Sequence, residues 1–210
     1  VSEAIEYLKQ ALGIDSSIPE IHERLGEAFL KADNPARARQ SYETGARIHE
    51  SNGDEFEAAM LEIEIAGIWV GEFDNYEQAS LHCKKAMNRV DFSKMTTDQL
   101  RRVAPALYLS GDIAEQNDEP GKAVNCWSQL MEVGRTLARS STGFESVGRS
   151  IYDQDIAFEN AEQLLEDVHK RIGQLQYRRQ RYGAAARHLR QVLRENPRDE
   201  ETFGALEQIY

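Results

Sequence analysis

Across residues 20–48 (EIHERLGEAFLKADNPARARQSYETGARI), apolar positions line one helical face, stop at a polar break, and resume on a second face. Ile21, Leu25, Ala28 and Phe29 recur at the spacing of an amphipathic helix whose stripe must be covered. Gly26 lies inside that stripe, where glycine costs roughly 1 kcal/mol relative to alanine. Its place there predicts a second helix crossing too closely for a side chain. The break Asp33-Asn34-Pro35 supplies a capping side chain and then a proline suited to a first helical turn. Ala38, Tyr42, Gly45, Ala46 and Ile48 follow, small residues around one aromatic, as close helix packing requires.

The pattern recurs. Shifted back by 34 residues, Ala38 falls on Ala4, Tyr42 on Leu8 and Gly45 on Ala11. A helix-turn-helix period in the thirties is the signature of a solenoid. On the residues Leu25-Gly26, Phe29, Ala38 and Tyr42, with His22 in the slot of the first aromatic, the segment resembles the tetratricopeptide repeat family. The resemblance implies an all-α fold: a right-handed solenoid of antiparallel helix pairs, a superhelix of about ten to twelve helices without a sheet. It also implies that first helices line a concave groove where partner segments bind.

The register alanines then step from Ala38 to Ala79 and Ala123. These longer intervals lengthen helices, as in the roughly forty-residue repeats of the family. Gly53-Asp54 predicts a helix end and a new start, and residues 55–70 are continuously helix-compatible. In this repeat Gly67 takes the place of Gly26. Residues 91–97 (DFSKMTT) form a polar connection, and Pro105 predicts a helix start or a kink beyond it. Gly111, Ala114, Ala123, Trp127 and Leu130 carry the next pair, with Trp127 read as a packing aromatic. Residues 139–148 (RSSTGFESVG) break the pattern and read as a loop or hinge. Residues 151–165 read as helical outside the repeat register. Ile172-Gly173, Tyr182, Ala185, Leu189 and Asn196-Pro197 restore it. The expected organisation is therefore repeats over 1–138, a hinge over 139–150, and a helical extension with a further repeat over 151–210. Half-repeats at both ends suggest an excerpt of a longer protein.

The net charge of −11 argues against general affinity for nucleic acid, and no run approaches the ~20 apolar residues of a membrane helix. Cys83 and Cys126 lie on apolar helix faces and read as small buried hydrophobes, without a zinc-ligand spacing. Two cysteines without a framework fit a reducing, cytoplasmic setting. No nucleotide, hydrolase or metalloprotease motif is present, and no histidine pairs with another at ligand spacing within a helix. The chain thus reads as non-enzymatic, with no cofactor and no metal.

Two charge features remain. On the inferred concave face stand Glu23, Glu27, Glu64, Asp112 and Glu115. Chaperone-tail-binding members of the family place Lys and Asn there instead, so the resemblance disfavours an acidic chaperone tail. An acidic face favours a basic protein or peptide partner; merely solvated carboxylates are the alternative. The second feature is basic. Residues 168–194 contain no Asp or Glu but carry Lys170, Arg171, Arg178, Arg179, Arg181, Arg187, Arg190 and Arg194. This reads either as a phosphate, nucleic-acid or acidic-peptide site, or as cations that pair with the chain's own acidic repeats. The expected function is a protein–protein interaction scaffold or adaptor. The rivals are a nucleic-acid or phosphate-contacting repeat and a peptide-sensing regulatory domain.

Overall fold

Gly26, Gly111 and Gly173, interior glycines of the helical pattern, each mark a crossing of two helices. The computed structural model describes residues 1–140, 147–148 and 157–210. Within them the chain divides into two compact units, Val1–Lys94 and Met95–Tyr210, parting inside the polar connection 91–97. The first unit contains α1 (Ser2–Ile14), α2 (Pro19–Lys31), α3 (Pro35–Asn52), α4 (Glu55–Gly71) and α5 (Tyr76–Arg89). The second contains α6 (Thr97–Gln116), α7 (Pro120–Arg139), α8 (Ala161–Arg178), α9 (Tyr182–Glu195) and α10 (Glu200–Ile209). Within each unit, consecutive helices pack on one another: α3 lies against both α2 and α4, and α8 against both α7 and α9.

The repeat is a packing rule written at fixed offsets. Gly26 of α2 receives the ring of Tyr42 of α3, Gly111 of α6 the indole of Trp127 of α7, and Gly173 of α8 the side chain of Leu189 of α9. A Cβ at any of the three would collide with its partner, which explains glycine in a helix interior. In each pair the partner stands sixteen positions after the glycine. At the same offset from the buried Gly67 stands Cys83, also buried. Twelve positions after the glycines stand Ala38, Ala79, Ala123 and Ala185, each fully buried. At the turn between the paired helices Asp33, Asp74, Asp118 and Gln180 adopt positive φ values of 55, 47, 53 and 58°.

Local chemistry starts the helices where expected. Asn34 accepts from the Arg37 N–H at 3.2 Å and Asn75 from the Gln78 N–H at 3.0 Å, while Gly53, at φ 81°, closes α3. Thr96 and Gln99 form a reciprocal capping box for α6. That box starts α6 well before Pro105, and the helix runs on through the proline. The core of the first unit gathers Leu25, Phe29, Tyr42, Leu61, Ile65 and Ile68. In the second, Trp127, Leu130, Leu164, Ile172 and Leu189 are fully buried.

Three expectations change. Cys126 is only partly buried. Of the helix read over 151–165, the described residues 157–160 are not helical, and α8 begins at Ala161, capped by Asn160, whose side chain accepts from the Gln163 N–H at 2.9 Å. Before it, β1 (Val147–Gly148) and β2 (Ala157–Phe158) pair antiparallel over two residues each. Phe158 is buried against Tyr108, ring centres 5.9 Å apart. The rest of the expected loop, 141–146, and residues 149–156 lie outside the described residues.

Candidate functional site

In the first unit, α2 carries Glu23 and Glu27, α4 carries Glu64, and α3 carries Tyr42, whose titration all three charges influence. Burial pushes the Tyr42 pKa up, and Glu64, Glu27 and Glu23 push it further. Burial and the neighbouring charge of Glu27 raise Glu64 to about 7, so this carboxylate exchanges a proton near neutrality. Glu23 also accepts from His49 Nε2 at 2.7 Å, while Asp54 lies 3.4 Å from Nδ1 of the same ring. Burial opposes charge on His49, but those two carboxylates prevail and hold its pKa above the ordinary value. Glu27 pairs with Arg24 at 3.2 Å on the exposed side of α2. A second imidazole–carboxylate contact, His82 Nδ1 to Glu62 at 2.6 Å, ties α5 to α4.

In the second unit the two candidate sets meet each other. Asp112 of α6 accepts from Arg171 Nη1 of α8 at 2.6 Å, and Arg178 of α8 pairs with Glu115. Arg171 also reaches Asp167 at 3.2 Å and lies over the Tyr108 ring, 4.5 Å from its centre. The Tyr108 hydroxyl donates to Asp167 at 2.9 Å. Asp112 nevertheless titrates near 6, because burial outweighs the nearby Arg171 cation and Glu115 and Asp167 add repulsion. Lys170 bridges Asp199 and Glu201, each at 2.8 Å, and Arg179 lies 3.7 Å from Asp118. Arg181 stands at the start of α9 with its side chain exposed. A cleft of about 370 Å³ between α8, α9 and α10 is lined by Gln174, Tyr177, Leu189 and Glu201, and a 2.7 Å bond joins Gln174 to Glu201.

Sequence reasoning missed one constellation. His169 of α8 and His188 of α9 face each other with Nδ1 atoms 3.0 Å apart. Burial, the other ring and Arg135 lower His169 to about 4; burial and Arg187 lower His188. Spacing within a helix could not reveal the pair, but aligning both residues on Gly173 would have done so. Among the described residues no group of three or more His, Cys, Asp or Glu is placed to hold a metal ion. No described helix is long and apolar enough to cross a membrane.

Residues 1–54 match the profile of the tetratricopeptide repeat family. No curated protein matches the chain in sequence. Among solved structures, BtubC (BKLC) from P. vanneervenii is 15% identical, with a TM-score of 0.56 over 90% of this chain and 64% of that one. A chain in the APC/C hetero-tetramer Cut9–Hcn1 is 16% identical, with a TM-score of 0.46 over 99% of this chain and 39% of that one. YrrB, described as a TPR protein with an unusual peptide-binding site, is 13% identical, with a TM-score of 0.48 over 97% and 99%. The chain thus spans less than two thirds of BtubC and of the Cut9–Hcn1 chain. The first likeness shows a shared fold.

Proposed function

We propose that this chain, a tetratricopeptide repeat protein by its residues 1–54, is a scaffold that holds a basic partner segment against α2 and α4. Glu23, Glu27 and Glu64 are the charged members of that face. The observation that carries the reading is that Glu23, Glu27 and Glu64 act together: all three charges raise the Tyr42 pKa, and Glu27 raises that of Glu64. Glu23 meets His49 and Glu27 meets Arg24, as Asp112 and Glu115 meet Arg171 and Arg178. In the first unit, Glu64 sits half-buried with its pKa raised by burial and by Glu27, so an incoming cation gains from neutralising it.

The segment's cationic groups would replace the proton that Glu64 exchanges near neutrality, and the Tyr42 hydroxyl would supply a neutral polar contact. The steering is electrostatic, so it acts on association rate and weakens with salt. Peptide display against the full chain tests the reading. Selected peptides are expected to be rich in Lys and Arg, and to lose about tenfold or more in affinity for E23Q/E27Q/E64Q, taking ~0.5 kcal/mol for each exposed pair. Selection of peptides without excess positive charge, or equal binding to the triple variant with unchanged helix content, would refute it.

A further inference from the structure

We propose that the outward stripe of α9, formed by Arg187, Arg190 and Arg194, is a docking surface for a short acidic segment of a partner protein. It belongs to the other unit and has the opposite charge from the face proposed above, so either can fail alone. The inference starts from how the structure divides the eight cations of residues 168–194. Those of α8 and its C-terminal end turn toward carboxylates: Lys170 to Asp199 and Glu201, Arg171 to Asp112 and Asp167, Arg178 to Glu115, Arg179 to Asp118. Arg181, just ahead of α9, and those within α9 do not, among the described residues. Ala185, Leu189 and Val192 turn inward and are fully buried, which leaves Arg187, Arg190 and Arg194 together on the exposed side.

Among the described residues none of these three arginines forms an ion pair. Arg190 lies over the Tyr210 ring, 5.1 Å from its centre, and also contacts its hydroxyl. Arg194 donates to Gln191 at 3.2 Å. Neither contact neutralises a guanidinium, so three charges remain available on a chain whose net charge is −11. The positions 187, 190 and 194 follow the i, i+3, i+7 spacing of one helix face. They span about 10 Å along the axis, seven residues at ~1.5 Å each.

That footprint selects the occupant. The exposed Glu195 ends α9, and Glu200, Glu201 and Glu207 are exposed on the adjoining α10. The chain's net charge of −11 disfavours a long polyanion such as nucleic acid. Three arginines over about 10 Å match a short segment with glutamates along one face, each carboxylate meeting one arginine.

The test uses the full chain and a short helical peptide with glutamates along one face, with a glutamine counterpart as control, at low ionic strength. The glutamate peptide is expected to bind about tenfold more tightly than its control, and R187Q/R190Q/R194Q to lose about tenfold, as three exposed pairs allow. Arg187→Gln alone, at a side chain without an ion pair, should lose about twofold, which keeps the test valid if the triple variant folds poorly. Equal binding of the two peptides, or of the folded triple variant and the parent chain, would overturn the proposal. So would tighter, arginine-dependent binding of a single-stranded oligonucleotide, which would assign the stripe to nucleic acid.

Discussion

The two units use one packing rule and different electrostatics. In the first, a tyrosine fills the gap over Gly26, and the charges of Glu64, Glu27 and Glu23 from α4 and α2 raise its pKa. In the second, a tryptophan fills the gap over Gly111, and the acids of α6 meet arginines of α8 across the adjoining helix layer. The glycine–alanine frame therefore determines where helices cross. The side chains around it determine which charges each unit carries and which groups of the chain they meet. We propose that this difference, rather than the shared frame, suits the first unit to a cationic partner.

The strongest way to break the comparison is to remove the residues that anchor each unit. Trp127→Ala should destabilise the second unit by ~3–5 kcal/mol, the range for a fully buried large aromatic. Tyr42→Ala should do the same for the first. Urea unfolding followed by unit-specific hydrogen exchange checks whether each loss stays within its own unit; a loss spread equally over both would join what the comparison separates.

A second prediction concerns pH, where Glu64 of the first unit and His169 of the second should respond in opposite directions. Glu64 has a pKa raised from its ordinary 4.5 to about 7. The stability linked to its protonated form is fully present below pH 4.5 and lost as pH rises through 7. Glu64→Gln should therefore stabilise the first unit by ~1–2 kcal/mol at pH 8 and leave it unchanged at pH 4. His169 has a pKa lowered from 6.5 to about 4. Its neutral form stabilises the second unit above pH 6.5, and that stability is lost as pH falls toward 4. Replacing His169 and His188 together by glutamine should flatten that acid limb, worth ~1–2 kcal/mol for half-buried rings. Melting temperatures from pH 4 to 8 test both signs; a limb of the same direction in both variants would contradict the assignment.

The smallest effect belongs to the turns. Three of the four positive-φ positions are Asp, but the last is Gln180 at φ 58°. Gln180→Asn should stabilise α8–α9 by ~0.5 kcal/mol, because asparagine visits the left-handed region more readily. A melting temperature unchanged or lowered would show that the turn carries no such strain.

The frame was legible because it is local. Gly26, Ala38 and Tyr42 lie within one helix pair, and the same offsets recur from Gly111 and Gly173. The pairing of Arg171 with Asp112 was not legible, since it joins residues 59 apart across an interval longer than any repeat. Nor was the β1–β2 pairing, because two residues on each side carry no alternation to read. Pro105 left two readings open, a helix start or a kink: the capping box at Thr96 starts α6 far enough upstream to rule out the start and place the proline in its interior. Of the candidate site, the sequence singled out Glu23, Glu27, Glu64, Asp112 and Glu115 as one set, and only packing divided them into two groups with different neighbours.

The central claim is that the anionic face of the first unit, and not the acids of the second, receives a basic segment. Isotope-edited NMR of the full chain during titration with a lysine-rich peptide tests it most directly. The account predicts that amide shifts on α2 and α4 around Glu23, Glu27 and Glu64 move together and saturate, while those around Asp112 and Arg171 stay still. Saturating shifts confined to α6 and α8, with α2 and α4 unmoved, would contradict it.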